Sequence, residues 1–350
     1  MRLSRRSLLA RSATAAAAFA ATQVFRPRSA RAQTGEVNLY SSRHYNTDDA
    51  LYEKFTELTG IRVNLLEGKA DELLARLESE GANSPADVFM TVDAGMLWRA
   101  DQAGIFAPIS SSVLSSSIPE NLRHPEGKWF GFSKRARVIM YNKSAVDPSE
   151  LSTYEDLADE RWRGKILIRS SSNIYNQSLV ASLIESNGVG ATEEWAEAFV
   201  QNFARPPEGN DRAQIEAAAA GLGDLAIANT YYLPRYLTDE DPAKQAVFDQ
   251  MGVFFPNQDG RGTHVNISGA GVVATATHAS EAQQFLEYLS GTEAQGFFAE
   301  GNNEYPVVEG AAVASAVEGF GEFKDDSVNV ATYGENQTAA VQLMDRVGWA

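Results

Sequence analysis

The chain has 350 residues, 44% of them hydrophobic and 22% charged, with a formal net charge of −16. That balance is globular rather than disordered or fibrous, and so acidic a surface repels nucleic acid and anionic lipid. No cysteine is present, which excludes disulfides, cysteine-ligated zinc, thiol catalysis and a lipidated amino-terminal cysteine.

Residues 1–32 read as an export leader. A head carrying Arg2, Arg5, Arg6 and Arg11 precedes an Ala-rich apolar stretch over 13–25 and an Ala30-Arg31-Ala32 cleavage site. The stretch is too short to span a bilayer, which takes about 20 residues. Arg5-Arg6, after Ser4 and before Leu8 and Leu9, resembles a twin-arginine signal. Cleavage after Ala32 removes seven arginines and takes the net charge from −16 to −23. The expectation is a periplasmic protein with neither membrane insertion nor a nucleic-acid partner.

From residue 33 onward strands and helices alternate. Strands are predicted over 36–40, 61–66 and 87–92, and helices over 48–58, 71–80 and 94–103. Thr47 is the expected N-cap of the first helix, Leu51, Phe55 and Leu58 its apolar face, and Gly60 and Gly104 are helix stops. Ser-rich 110–117 is predicted to be a surface loop. Further strands are predicted over 138–141, 165–169, 224–228, 253–255 and 271–274. Helices are predicted over 176–186, 193–203, 213–220, 281–289 and 294–299, with a short helix after 228 and an irregular helical carboxy-terminal 40 residues. Successive strand–helix units argue for an α/β fold with mostly parallel sheets flanked by helices. The length in two batches suggests two lobes.

Signals for catalysis are missing. His44, His124, His264 and His278 form no H-E-x-x-H arrangement. Asn266-Ile267-Ser268-Gly269 lacks the first glycine of a nucleophile elbow. Gly260-Arg261-Gly262 has no following G-K-[ST] and reads as a turn or hinge. No carboxylate pair stands out, so the chain is not expected to be an enzyme.

The informative feature is tyrosine at strand ends, where open α/β sheets bind ligands. His44-Tyr45 follows the first strand, Ile174-Tyr175-Asn176 follows 165–169, and Asn229-Thr230-Tyr231-Tyr232 follows 224–228. Tyrosines in such places also pack between helices, and spacing alone leaves both readings open. A phenol has a pKa near 10 and is a poor base at neutral pH. It becomes a ligand when a strong Lewis acid displaces its proton. A hard phenolate oxygen suits a hard, highly charged cation, of which Fe(III) fits best. Zinc and copper more usually recruit His or Cys, and calcium or magnesium carboxylates and carbonyls.

Several segments occur in a telling order: Tyr40-Ser41-Ser42-Arg43-His44-Tyr45, Ser133-Lys134-Arg135-Ala136-Arg137, Tyr141-Asn142-Lys143, Trp162-Arg163-Gly164-Lys165 and Ala228-Asn229-Thr230-Tyr231-Tyr232. Together they resemble the ferric-ion-binding proteins of bacterial ABC importers, of the iron-deficiency-induced protein A type. The resemblance covers essentially the whole chain after the leader. It implies a two-lobed periplasmic-binding-protein fold (type II), each lobe a mixed, mostly parallel sheet flanked by helices, with a hinge of crossing strands near 131–137 and 262–271. Lobe one would be 33–132 plus 266–310, and lobe two 133–265 plus 311–350.

The resemblance further implies Fe(III) as the transported ligand. Tyr45, Tyr175, Tyr231 and Tyr232 would be its ligands, and His44 a ligand only in some relatives. Arg135 would be the cleft cation beside them, with Arg137 and Arg235 as further candidates and Arg43 at the surface or cleft rim. Four phenolates around Fe(III) leave one negative charge, which one guanidinium neutralises. A water or synergistic anion could complete the shell. The partners would be an iron permease and its ATPase, and the protein a monomer. The alternative reading is a binding protein of the same fold for a small organic or oxyanion ligand.

Overall fold

The computed structural model describes residues 35–43 and 47–350. The leader at 1–32, with its arginine pair, and His44 and Tyr45 lie outside the described residues.

In chain order the elements begin β1 (Gly35–Ser41), α1 (Asp48–Thr59), β2 (Ile61–Glu67), α2 (Ala70–Glu80), β3 (Val88–Thr91), α3 (Ala94–Gln102) and α4 (Ser112–Ser117). The middle runs β4 (Phe130–Asn142), β5 (Ile166–Leu167), α5 (Ile174–Asn187), α6 (Val189–Val200), α7 (Asp211–Ala219), β6 (Leu225–Asn229), α8 (Pro242–Gln250) and β7 (Met251–Phe254). The last third is β8 (Val265–Val272), α9 (Ala279–Leu289), α10 (Thr292–Asn302), β9 (Tyr305–Pro306), α11 (Ser315–Glu318) and α12 (Thr332–Arg346).

The first units form as their patterns require. In α1, Leu51 and Phe55 are fully buried, and Gly60 ends the helix at φ 80°, where a side chain would be strained. Two expectations fail there. Leu58 is 45% exposed, its place on the buried face taken by Tyr52. Thr47 makes no cap hydrogen bond; its hydroxyl instead accepts from the side-chain amide of Asn302 across the fold. The predicted loop at 110–117 contains a helix, α4. Ser111 accepts from the Leu114 amide as its N-cap, and Leu114 is fully buried. Helix α8 is absent from the sequence reading although Asp241 and Pro242 supply an N-cap and an N1 proline.

Strands β2, β1 and β3 pair in parallel, and β5 pairs in parallel with β6. The remaining pairings, β3–β8, β8–β4, β4–β9, β4–β6 and β4–β7, are antiparallel. The sheet order is β2-β1-β3-β8-β4-β6-β5, with β7 and β9 also on β4. Strand β4 is the pivot of this order. Its first half, Phe130 to Ala136, pairs with β8, and its second half, Arg137 to Tyr141, pairs with β6. The strand therefore changes partners between Ala136 and Arg137, and β8 carries the chain back. Residues 260–262 form the turn before β8. Gly262 has φ 101°, and a side chain there would run into the Asp325 carbonyl.

The carboxy-terminal 40 residues are helical but irregular, as expected: α11 and α12 are separated by non-helical backbone. Helix α12 packs on both α5 and α3. Among the described residues, no helix is long and apolar enough to cross a membrane.

Candidate metal centre

Two of the sequence-predicted tyrosines sit on one turn. Strand β6 is buried throughout and ends at Asn229, and the chain then enters a 3-10 helix over Thr230–Thr238 that contains Pro234. Tyr231 is buried and Tyr232 half-buried. Their ring centroids are 4.3 Å apart. The Arg235 guanidinium lies 5.2 Å from the first ring and 5.6 Å from the second, close enough for cation–π attraction. Burial raises the Tyr232 phenol above its ordinary value, and Asp211 and Tyr175 add to that rise, while a hydrogen bond with Tyr231 and the charge of Arg169 oppose it.

The third tyrosine arrives on α5. Tyr175 occupies the first turn of that helix and acts electrostatically on Tyr232, so the two turns converge. Arg135, on β4, is 2% exposed, and its guanidinium carbon lies 5.5 Å from the Tyr175 ring centre. One terminal nitrogen, Nη2, donates to the Val92 carbonyl. The other, Nη1, is buried and has no hydrogen-bond partner among the described residues. A buried donor without a partner is costly, and this one belongs to the guanidinium over a candidate ligand.

Arg137 has a different place from Arg135. It donates from Nη2 to Asn176 Oδ1 at 2.6 Å, and from Nη1 to Asn229 Oδ1 at 3.1 Å and Asp211 Oδ1 at 3.2 Å. Asn176 follows Tyr175, and Asn229 stands two residues before Tyr231, so one side chain ties both tyrosine turns together. Asp211 is fully buried and also accepts from Arg169 at 3.2 Å. Asn176 in turn donates to the carbonyls of Arg169 and Ser170. Arg137 is thus a scaffold beneath the site. Arg137→Ala is expected to lower the unfolding free energy by about 3–5 kcal/mol, the usual scale for breaking a buried ion pair. A fall in the denaturant midpoint would show it, and an unchanged midpoint would mean that the network holds nothing.

The flanks of 44–46 are fixed on both sides. Arg43 is not at the surface or cleft rim as expected. It is 1% exposed, pairs with Asp48 at 2.7 Å and Glu304 at 3.0 Å, and lies against Phe298. Glu304 also accepts from Ser133 on β4, which anchors this stretch to the pivot strand. On the other flank, Thr47 lines one cleft of about 480 Å³ together with Asn302 and Arg235. Among the described residues no three His, Asp or Glu side chains converge to hold a metal. The remaining sequence histidines are elsewhere. His264 is fully buried, and burial together with Arg261, Arg137 and Arg135 holds its pKa well below the ordinary value.

The structure brings Tyr175, Tyr231 and Tyr232 of the expected set together; Asn176, Asn229 and Asp211, which hold their turns, were not assigned to the site from the sequence. The two asparagines adjoin the tyrosine motifs, which was the available signal. Asp211 offers none without the pairing of distant segments.

A family model described as bacterial extracellular solute-binding protein matches residues 83–320. Iron uptake protein A1 of Synechocystis sp. is 59% identical over 314 residues, covering 90% of this chain and 87% of that protein. The Fe(3+)-binding periplasmic protein of Serratia marcescens is 31% identical over 328 residues, covering 93% of each. A solved structure of the Trichodesmium protein IdiA (FutA), in complex with iron and citrate ligands, has a TM-score of 0.89 and 66% identity, covering 90% of this chain and all of that one.

Proposed function

This chain belongs to the bacterial extracellular solute-binding protein family, and we propose that it captures Fe(III) between its lobes through tyrosine phenolates. Its fold is the two-lobed type II periplasmic-binding-protein fold. The lobes would be 33–132 with 266–310, and 133–265 with 311–350, hinged where β4 changes partners. Tyr175, Tyr231 and Tyr232 would be ligands from one lobe and Tyr45 from the other, with His44 beside it as a further candidate. Arg135 and Arg235 supply fixed positive charge to the phenolates. The relatives above are named as uptake and binding proteins, which agrees with a carrier rather than an enzyme. Exported through its leader and cleaved after Ala32, the monomeric carrier would hand iron to a permease driven by a cytoplasmic ATPase. A water or small anion would complete the metal's coordination.

One observation carries this reading: three tyrosines from two distant strand ends converge, with guanidinia at 5.2 to 5.6 Å from their rings. Phenols so placed make a site for a hard trivalent cation and offer little to a divalent one. Titration of the mature protein with ferric citrate is expected to give a coloured complex saturating at one ion per chain, through phenolate-to-iron charge transfer. A protein that stays colourless would favour a small organic or oxyanion ligand instead.

A further inference from the structure

Asp93 is a buried carboxylate that the proposed ion does not use. It stands at the carboxyl end of β3 and is 2% exposed. Its Oδ1 accepts from the amides of Gly95 at 2.7 Å and Met96 at 3.3 Å, capping α3. Its Oδ2 accepts from Asn266 Nδ2 of β8 at 2.7 Å and from Ser178 Oγ of α5 at 3.0 Å. Among the described residues, Arg135 of β4 is a charged group acting on it from a packed element; Lys69, Asp71 and Arg169 line the same cleft of about 670 Å³.

Three of those four hydrogen bonds hold Asp93 to its own side of the cleft and to the pivot strands. Only Ser178 reaches the helix that bears Tyr175. Ser178 is three residues beyond Tyr175 and therefore on the same helix face. We propose that Asp93 is a positioning residue that clamps the Tyr175 helix across the cleft through Ser178, and so sets how fast a bound ion leaves. This rests on the ferric reading above. Tyr175 stands in the first turn of α5, so a movement of that turn or an opening of the cleft would draw it away from a bound ion. The Asp93–Ser178 bond opposes both, from a carboxylate that is itself fixed on three sides.

Ser178→Ala isolates the clamp. Asp93 keeps its bonds to Gly95, Met96 and Asn266, so no buried charge is left bare, and alanine is the best helix former. The loaded wild type and variant are mixed with excess chelator, and the loss of the visible band is timed. Release is expected to be about tenfold faster in Ser178→Ala, the scale of one hydrogen bond to a charged group. The band should keep its position, because the ligands are untouched, and the iron-free melting temperature should not move. In an Asp93→Asn background, Ser178→Ala should add little, as expected for two members of one interaction. Equal release rates would overturn the clamp. So would additive effects of the two substitutions, or a fall in melting temperature as large without iron as with it, which would mark a merely structural bond. A wild type that takes up no colour would overturn the ferric reading and the clamp together.

Discussion

Tyr231→Phe is expected to lower ferric-ion affinity by more than about a hundredfold, because loss of an outer-shell partner alone costs about 10–100-fold and Tyr231 is assigned a direct bond. The substitution removes one oxygen and leaves the ring, so packing against Tyr232 at 4.3 Å and the contact with Arg235 survive. The iron-free protein loses the hydroxyl's contacts with Asn229 and Tyr232, so its fold should hold and its melting temperature fall little beside the loss of affinity, which separates a lost ligand from a damaged turn. The remaining complex should also absorb at a shifted wavelength, since one phenolate donor is gone. Tyr232→Phe should act in the same direction. Competition with a chelator of known affinity gives the magnitude, and an unchanged affinity and spectrum in both variants would refute the assignment.

Acid should drive the ion out, and Arg135→Ala should make it leave at a higher pH. A phenol ordinarily keeps its proton to about pH 10, and burial raises Tyr232 further. Tyr232 thus keeps its proton at neutral pH without the metal, and each phenolate formed on the metal releases a proton. Falling pH favours the protonated, iron-free form, so affinity falls with pH. The Arg135 guanidinium lies 5.5 Å from the Tyr175 ring, and a fixed positive charge there would favour a metal-bound phenolate over the protonated phenol. Its loss should move the midpoint of acid release up by about one pH unit. Arg135→Lys should restore part of the difference, because one ammonium cannot reproduce the fork that holds Val92. Overlapping titration curves for the three proteins would remove Arg135 from the site's electrostatics and turn attention to Arg235.

The tyrosine turns were legible because their signal is local: a strand end, a polar turn and a phenol within a few residues. What holds them is not local. Arg137 meets Asn229 because the two stand opposite each other in the β4–β6 register. Both flanking strands are almost wholly buried there, so no alternation marks which residue faces which. For the same reason the strand expected at 271–274 begins earlier, as β8 at Val265. Its polar Asn266 and Ser268 look like loop residues, yet both are buried and bonded, to Asp93 and Glu304. Arg43 was sent to the surface because its two carboxylates include Glu304, 261 residues away. The charge count drawn from sequence asked for one guanidinium. The fold brings two, Arg135 by Tyr175 and Arg235 by Tyr231 and Tyr232, and sets the Asp93 carboxylate against Arg135.

The central claim is that the ion sits on these phenolates, and anomalous diffraction from crystals of the iron-loaded protein, collected on either side of the iron absorption edge, tests it most directly. One peak is expected per chain, within bonding distance of the hydroxyl oxygens of Tyr175, Tyr231 and Tyr232 and of Tyr45. A peak elsewhere in the molecule, or a loaded crystal with no iron signal at that cluster, would contradict it.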